Sequence, residues 1–298
     1  MADLPLPGRA ARFDYQSFDA TTGRLWIAHM GAGEVLAFDV RARQVVRRVP
    51  NMPGATGVLV VPSLGRVFVS LSASHEVAVL DARSGRVLMR VAGGRFPDGL
   101  AYAPAARKVF ASDEYGRQEI VIGLASSSAL PPIPLGGEVG NTQYDSVSGR
   151  IWVAVQTRNE LAAIDPVRDS VIARVSLPGI ERPHGFIVDA ARRLIYVTGE
   201  KNGRLGVLDL RTMRLVNTYP VGDEPDVLAM ELPRMRLYVA AESGVITPFD
   251  IRGNALAPLP PYRAPHAHSV AVDPSTHLVY VPLENVAGHP VLRILRLE

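Results

Sequence analysis

Nine acidic or histidine residues occupy fourteen positions that are defined only by their distance from seven evenly spaced aromatics. Twelve residues before each aromatic stand Asp14, Thr56, Asp98, Gly140, His184, Asp226 and His268; four residues after it stand Met30, Ser72, Glu114, Gln156, Glu200, Glu242 and Glu284. With 29 Asp and Glu and 7 His among 298 residues, fewer than two would fall in fourteen places at random. Histidines and carboxylates move protons and hold cations. Carboxylates that converge repel one another, and a bound cation, a protonated histidine or a cationic substrate relieves the repulsion. Three repeats carry a complete pair, His184 with Glu200, Asp226 with Glu242 and His268 with Glu284, and the spacing predicts that the two members lie side by side. His268 and His184 are the candidate catalytic bases. Glu284, Glu200, Asp226 and Glu242 are the candidate metal ligands, with Asp14, Asp98, Glu114 and Gln156 as further polar lining. The oxygen-rich set suits magnesium, calcium or manganese, and the histidines admit zinc. The alternative is that these are solvated turn residues and hydrogen bonds between repeats, which hairpin ends favour whatever the function.

The aromatics that set the frame are Trp26, Phe68, Phe110, Trp152, Tyr196, Tyr238 and Tyr280, separated by 42, 42, 42, 44, 42 and 42 residues. Each lies in a short apolar strand behind a turn, as in Arg66-Val67-Phe68-Val69. Thirteen residues on, an aspartate closes a further strand in Asp39, Asp81, Asp165 and Asp209, and a polar turn leads to a fourth strand. Four short strands per repeat with no helical period predict an all-β fold, a seven-bladed β-propeller with four antiparallel strands per blade, as one domain over residues 1–298. The last repeat stops after a third strand at residues 291–296, and residues 2–8 read like the fourth-strand exit at residues 174–179. The N-terminal strand is therefore expected to complete blade seven and close the ring, which removes open sheet edges. In such a ring the fourteen positions begin the inner strands and end the second strands, on one face, around the channel mouth.

Net charge is +3 and the basic residues are almost all arginine, Lys108 and Lys201 being the only lysines. Seventeen of the 32 basic residues, among them Arg24, Arg66, Lys108, Arg193 and Arg236, fall in turns expected on the face opposite the mouth. That rim predicts weak, non-specific attraction to polyanions, and without interleaved aromatics it offers no platform for base stacking. The absence of cysteine excludes disulfides and thiolate chemistry. No nucleophile elbow, Walker loop or dinucleotide fingerprint occurs, so no nucleotide cofactor is expected. No segment approaches the roughly 18 apolar residues of a membrane span, and a monomer without membrane insertion is expected, in the cytoplasm or, after removal of a signal peptide, in the periplasm.

The segment Leu194-Ile195-Tyr196-Val197-Thr198, followed by Gly206-Val207-Leu208-Asp209, resembles the repeat of the YVTN or YncE-like seven-bladed propellers, over essentially the whole chain. Ala264-Pro265-His266-Ala267-His268-Ser269-Val270, with Val279-Tyr280-Val281-Pro282-Leu283-Glu284, is similar to the last blade of the virginiamycin B lyases. That resemblance implies His268 as a base and Glu284 as a contributor to a magnesium site, although those lyases carry Glu-Pro before the histidine where this chain has Ala267. Arg182-Pro183-His184-Gly185 with Glu200 matches equally well. His268-Ser269-Val270-Ala271-Val272-Asp273-Pro274 resembles part of the 6-phosphogluconolactonase propellers, which implies lactone hydrolysis, with Arg95, Arg182 and Arg263 available for an anionic substrate. The expectation is a propeller that binds a small molecule or a divalent metal at an acidic, histidine-containing mouth, and in its enzymatic form a metal-dependent lyase or lactonase-type hydrolase. The alternative is a non-catalytic scaffold for a protein partner or, weakly, for polyanions.

Overall fold

The computed structural model describes residues 1–297. Gln16–Asp19, Arg24–His29, Glu34–Asp39 and Gln44–Val49 form the first blade, antiparallel and in chain order from the channel outward. Six more sheets repeat this plan, and the inner strands pack against one another in cyclic order, the last of them, Ala271–Asp273, against the first. The result is the seven-bladed propeller. Each blade is sandwiched between two others, so its middle strands are buried on both faces and read as continuous apolar runs: Leu25, Trp26, Ile27 and Ala28 are all fully buried. Outer strands face water on one side, and burial along Arg214–Pro220 alternates accordingly.

Ring closure follows the expected route. Ala2–Pro5 pairs with His289–Leu295 as the fourth strand of blade seven, and the Asp3 carboxylate meets the Arg293 guanidinium across the seam at 2.6 Å. Leu6 is buried beside it. Blade six departs from the plan, because Val245–Arg252 pairs first with Ala255–Pro258 and then with Tyr262–Arg263. Pro260 and Pro261 between them have no N–H to donate, which splits the outer strand in two.

The inner strands of blades two to six share an irregularity that decides what reaches the channel. On Pro97–Ala103 the chain takes three steps from Pro97 to Leu100 while its partner takes two, and the same extra residue occurs in Ala55–Val61, Val139–Asp145, Pro183–Asp189 and Pro225–Glu231. These are β-bulges, which bend a strand and re-aim its side chains. Thr56, Asp98, Gly140, His184 and Asp226 lie inside them. The bulges nest against each other through glycine: a Cβ on Gly57 would stand 2.0 Å from the Asp98 carbonyl oxygen, and one on Gly185 would stand 1.4 Å from that of Asp226.

On the opposite face the basic turn residues clamp blades together. Lys108 of blade three reaches Asp169 of blade four at 2.7 Å, Arg193 of blade five reaches Asp145 of blade four at 2.6 Å, and Arg24 of blade one donates to the Ala82 carbonyl of blade two at 2.9 Å. No helix among the described residues is long and apolar enough to cross a membrane.

Two stability predictions follow from closure and nesting. Removing residues 1–8 strips Leu6 from its site, about 2 kcal/mol of apolar burial, and thermal unfolding should drop by roughly 4–8 °C or more for a chain of this size; an unchanged midpoint would refute the latch. Gly185→Ala should cost about 1–3 kcal/mol or more by overpacking, measured by chemical denaturation, whereas Gly93→Ala, whose Cβ would come no nearer than 3.3 Å to the Ile120 side chain, should cost less.

Candidate functional site

One column of residues faces inward, turned there by the bulges in blades two to six, and five of its members join across the channel. Asp14, His268, Asp226, His184 and Asp98 form an arc in which acid and base alternate. His268 Nε2 lies 3.1 Å from Asp14 Oδ1 and 2.9 Å from Asp226 Oδ2; His184 Nε2 lies 3.2 Å from Asp226 Oδ1 and 3.7 Å from Asp98 Oδ2. Asp98 and His184 belong to blades three and five. They meet because blade four offers only Gly140 between them, where a Cβ would stand 2.7 Å from the His184 Cα. Blade two supplies Thr56, whose hydroxyl donates to the Pro97 carbonyl at 2.8 Å and stays out of the arc.

The predicted partners are exchanged: Glu242 pairs between blades, whereas Glu200 and Glu284 pair with the residue two before the inner-column histidine of their own blade. Glu200 is 3.6 Å from Arg182, Glu242 is paired with Arg12 at 2.9 Å and with His268 Nδ1 at 3.1 Å, and Glu284 is 3.0 Å from His266. Neither His184 with Glu200 nor His268 with Glu284 forms an ion pair; in blade five the bulge carries the histidine toward the axis and leaves the strand-end glutamate at the rim. Glu114 accepts from Gln156 at 3.4 Å. Arg182 stands at the mouth against Glu138, Gln156 and Glu200, whereas Arg263 is exposed on the split outer strand of blade six and does not line the cavity.

The two histidines differ in the state their neighbours enforce. His268 faces carboxylates with both ring nitrogens, and Arg12 Nη2 lies 3.2 Å from each of them; although burial opposes its charge, Asp226 and Asp14 hold it well above the usual histidine range. His184 is divided. Burial works against its charge, yet Asp226, Asp98 and Glu114 push it up to about 10. On its other side Gln156, whose Oε1 is occupied by Arg182 and whose Nε2 also donates to the Val139 carbonyl, presents that same Nε2 2.8 Å from His184 Nδ1. A donor there supports the neutral ring. Between the histidines Asp226 lies well below the usual carboxylate range, since the two imidazolium charges outweigh its burial. Asp98 lies well above it, raised by burial and by Asp14 despite His184. Two carboxylates on one imidazole edge are therefore biased in opposite directions, Asp226 toward its charged form and Asp98 toward its protonated form.

A cavity of about 300 Å³ opens over this arc, lined by Asp14, Asp98, Asp226 and His184 at its floor and by Glu114, Glu200, Glu224, Glu242 and Arg12 above. Tyr15 also lines it, with a buried hydroxyl that has no hydrogen-bond partner. Asp14, Asp226 and His268 each offer a ligand atom within 4.8 Å of the others. Arg12, Phe96, Glu224 and His266, missed by sequence reasoning, each stand two residues before a member of the inner column. That earlier column was the available signal. Arg182, Glu224 and His266 hold φ between 51° and 62° there, a left-handed conformation uncommon for such side chains.

No protein-family model matches the chain, and no curated protein matches its sequence significantly. Among solved structures it is similar to Kuenenia stuttgartiensis hydrazine synthase, at 14% identity and TM-score 0.83 over 99% of this chain and 97% of that one. Virginiamycin B lyase from Staphylococcus aureus is similar at 11% identity and TM-score 0.81 over 99% of each chain, and the WD40 repeats of RRP9 at 11% and 0.82 over 99% and 97%. Likeness at these identities is one of fold.

The arc predicts a pH window. His184 titrates at about 10 in the folded chain against 6.5 for a free histidine, so its contribution to stability is complete below 6.5 and is lost as pH rises toward about 10. Glu242, held at about 2 against 4.5 by the hydrogen bond from His268, with burial opposing and Arg12 assisting, contributes above 4.5 and loses its contribution as pH falls toward about 2. In denaturation curves taken across this range, His184→Gln should flatten the alkaline limb and leave the acid limb; parallel alkaline limbs in both proteins would contradict the assignment.

Proposed function

We propose that the chain binds a small molecule at the channel mouth and performs general acid–base chemistry on it, of the lyase or lactone-hydrolase type, with His184 as the proton carrier. The observation that carries this reading is the placement of His184 on the cavity floor between Asp226 at 3.2 Å and Asp98 at 3.7 Å, with Gln156 opposing them from the other ring nitrogen. A pair of carboxylates driven to opposite protonation states around one base is how sites divide acid and base roles. His268, saturated by three carboxylates, serves in this reading as a fixed positive charge. The protonated Asp98 and the unpartnered Tyr15 hydroxyl supply donors for the negative oxygen that develops when an ester is opened or an enolate forms.

A divalent cation enters this reading at Asp14, Asp226 and His268, which replace the glutamate-rich set expected from spacing. It must displace the proton on His268, so any such binding should tighten as pH rises. Glu284, tied to His266 at the rim, and Glu200, tied to Arg182, lie outside that group. The kinship to YVTN or YncE-like propellers rests on the repeat around Tyr196. Attraction of polyanions stays weak in this reading, because several rim cations are engaged as clamps between blades.

The test is turnover of a panel of small lactones and β-eliminable esters, with and without added magnesium. Wild-type protein should turn over at least one class, and His184→Gln should lose about 10²–10⁴-fold in rate with an unchanged circular dichroism spectrum. Gln156→Glu, which exchanges a donor beside His184 for a negative charge, should move the alkaline limb of the rate profile to higher pH. A wild-type protein inert across the panel, or a His184→Gln variant as active as wild type, would remove the reading.

A further inference from the structure

The outer half of the cavity is unlike its floor. At the floor, acids and histidines neutralise one another in the arc. Above it Glu114 and Glu224 face the same cavity, and neither has a cationic side chain within ion-pair distance among the described residues. Burial holds the Glu114 carboxyl above its usual range, and Glu200 adds to the effect although His184 and Arg182 oppose it. Beside Glu114 two aromatic rings line the rim: Phe96 and Tyr115, with centroids 5.0 Å apart and planes tilted by 56°. Tyr15 closes the opposite side with its unpartnered hydroxyl, which burial and the neighbouring carboxylates keep neutral.

A metal ion is a poor answer to this surplus of negative charge. It requires several oxygen atoms converging to roughly 2.0–2.6 Å from one point, and the group of ligand atoms gathered closely enough among the described residues is Asp14, Asp226 and His268 at the floor, which excludes Glu114 and Glu224. A diffuse organic cation needs no such convergence. It is attracted to aromatic faces within about 6 Å of the ring centre and pairs with one carboxylate at its edge, and a cavity of about 300 Å³ is of the size that holds a small ligand.

We infer that the ligand of this mouth is a small organic cation, an ammonium-bearing molecule seated against Phe96 and Tyr115 with its charge on Glu114. The inference deepens the proposed function and rests on its claim that this cavity holds a small molecule. The ammonium end occupies the acidic outer half, and the reacting end points down to His184, Asp98 and Tyr15.

The test is isothermal titration calorimetry at neutral pH and low salt with three probes of matched shape: benzylamine, benzyl alcohol and benzoate. Wild-type protein should bind benzylamine about tenfold more tightly than benzyl alcohol, with benzoate weakest. Glu114→Gln should erase the preference for the amine, Phe96→Leu should weaken benzylamine severalfold, and His184→Gln should leave the preference in place. Equal binding of amine and alcohol, preference for benzoate, no heat with millimolar benzylamine, or a preference that survives Glu114→Gln would each overturn the inference. Because the measurement involves no turnover, its failure beside a wild-type protein that needs His184 for catalysis would remove the ammonium ligand and leave the acid–base reading standing; amine preference without turnover would do the reverse.

Discussion

The backbone of one inner strand comes so close to the next that no side chain fits between them, and this contact governs the site. At Gly185 a single added carbon would fall 1.4 Å from the Asp226 carbonyl oxygen, and at Gly57 one would fall 2.0 Å from that of Asp98. Such nesting is reached only where each inner strand carries one extra residue at its top, because the bulge bends the strand toward its neighbour. The same bend points Asp98, His184 and Asp226 at the axis. Packing and chemistry are thus set by one local device, repeated around the ring.

Placing five ionisable groups in that space is costly unless their charges alternate. A buried pair loses several kcal/mol when one partner is removed, because the other is left uncompensated in a poorly solvated place. Asp14, His268, Asp226, His184 and Asp98 meet the condition by alternation: each histidine has an acid on either side, and burial biases the terminal Asp98 toward its protonated form. The two histidines nevertheless end in different situations. Glu242 on the second nitrogen of His268 makes it a fixed cation, and Gln156 on the second nitrogen of His184 leaves it with a proton it can release. The neighbour on that second nitrogen, a carboxylate or an amide, is what sets the two rings apart.

The opposite face uses charge between blades. Lys108, Arg193 and Arg24 are directed at acceptors of adjacent blades, so the basic turns hold the ring together from below. Propellers of similar shape include a hydrazine synthase, a virginiamycin B lyase and a WD40 repeat protein, so the fold is shared by proteins of different kinds and does not by itself settle what this chain does.

Much of this was legible in the chain. The even spacing of Trp26, Phe68, Phe110, Trp152, Tyr196, Tyr238 and Tyr280 announces seven blades, because each blade needs one large residue at the same depth of its buried strand. The missing last strand, with a matching segment at residues 2–8, announces the closure. Counting from those aromatics also finds the inner column that reaches the mouth, since a strand advances by a constant rise. Which members of that column touch was decided only by the tertiary structure. His184 finds Asp98 across the gap left by Gly140, His268 finds Glu242 of another blade, Glu284 turns to His266, and Arg263 leaves the mouth on a strand that proline has divided. Spacing along a strand is a local property that the sequence carries residue by residue. Contact across a channel depends on how seven inner strands, five of them bulged, lean once the ring has closed, and no single repeat contains that information.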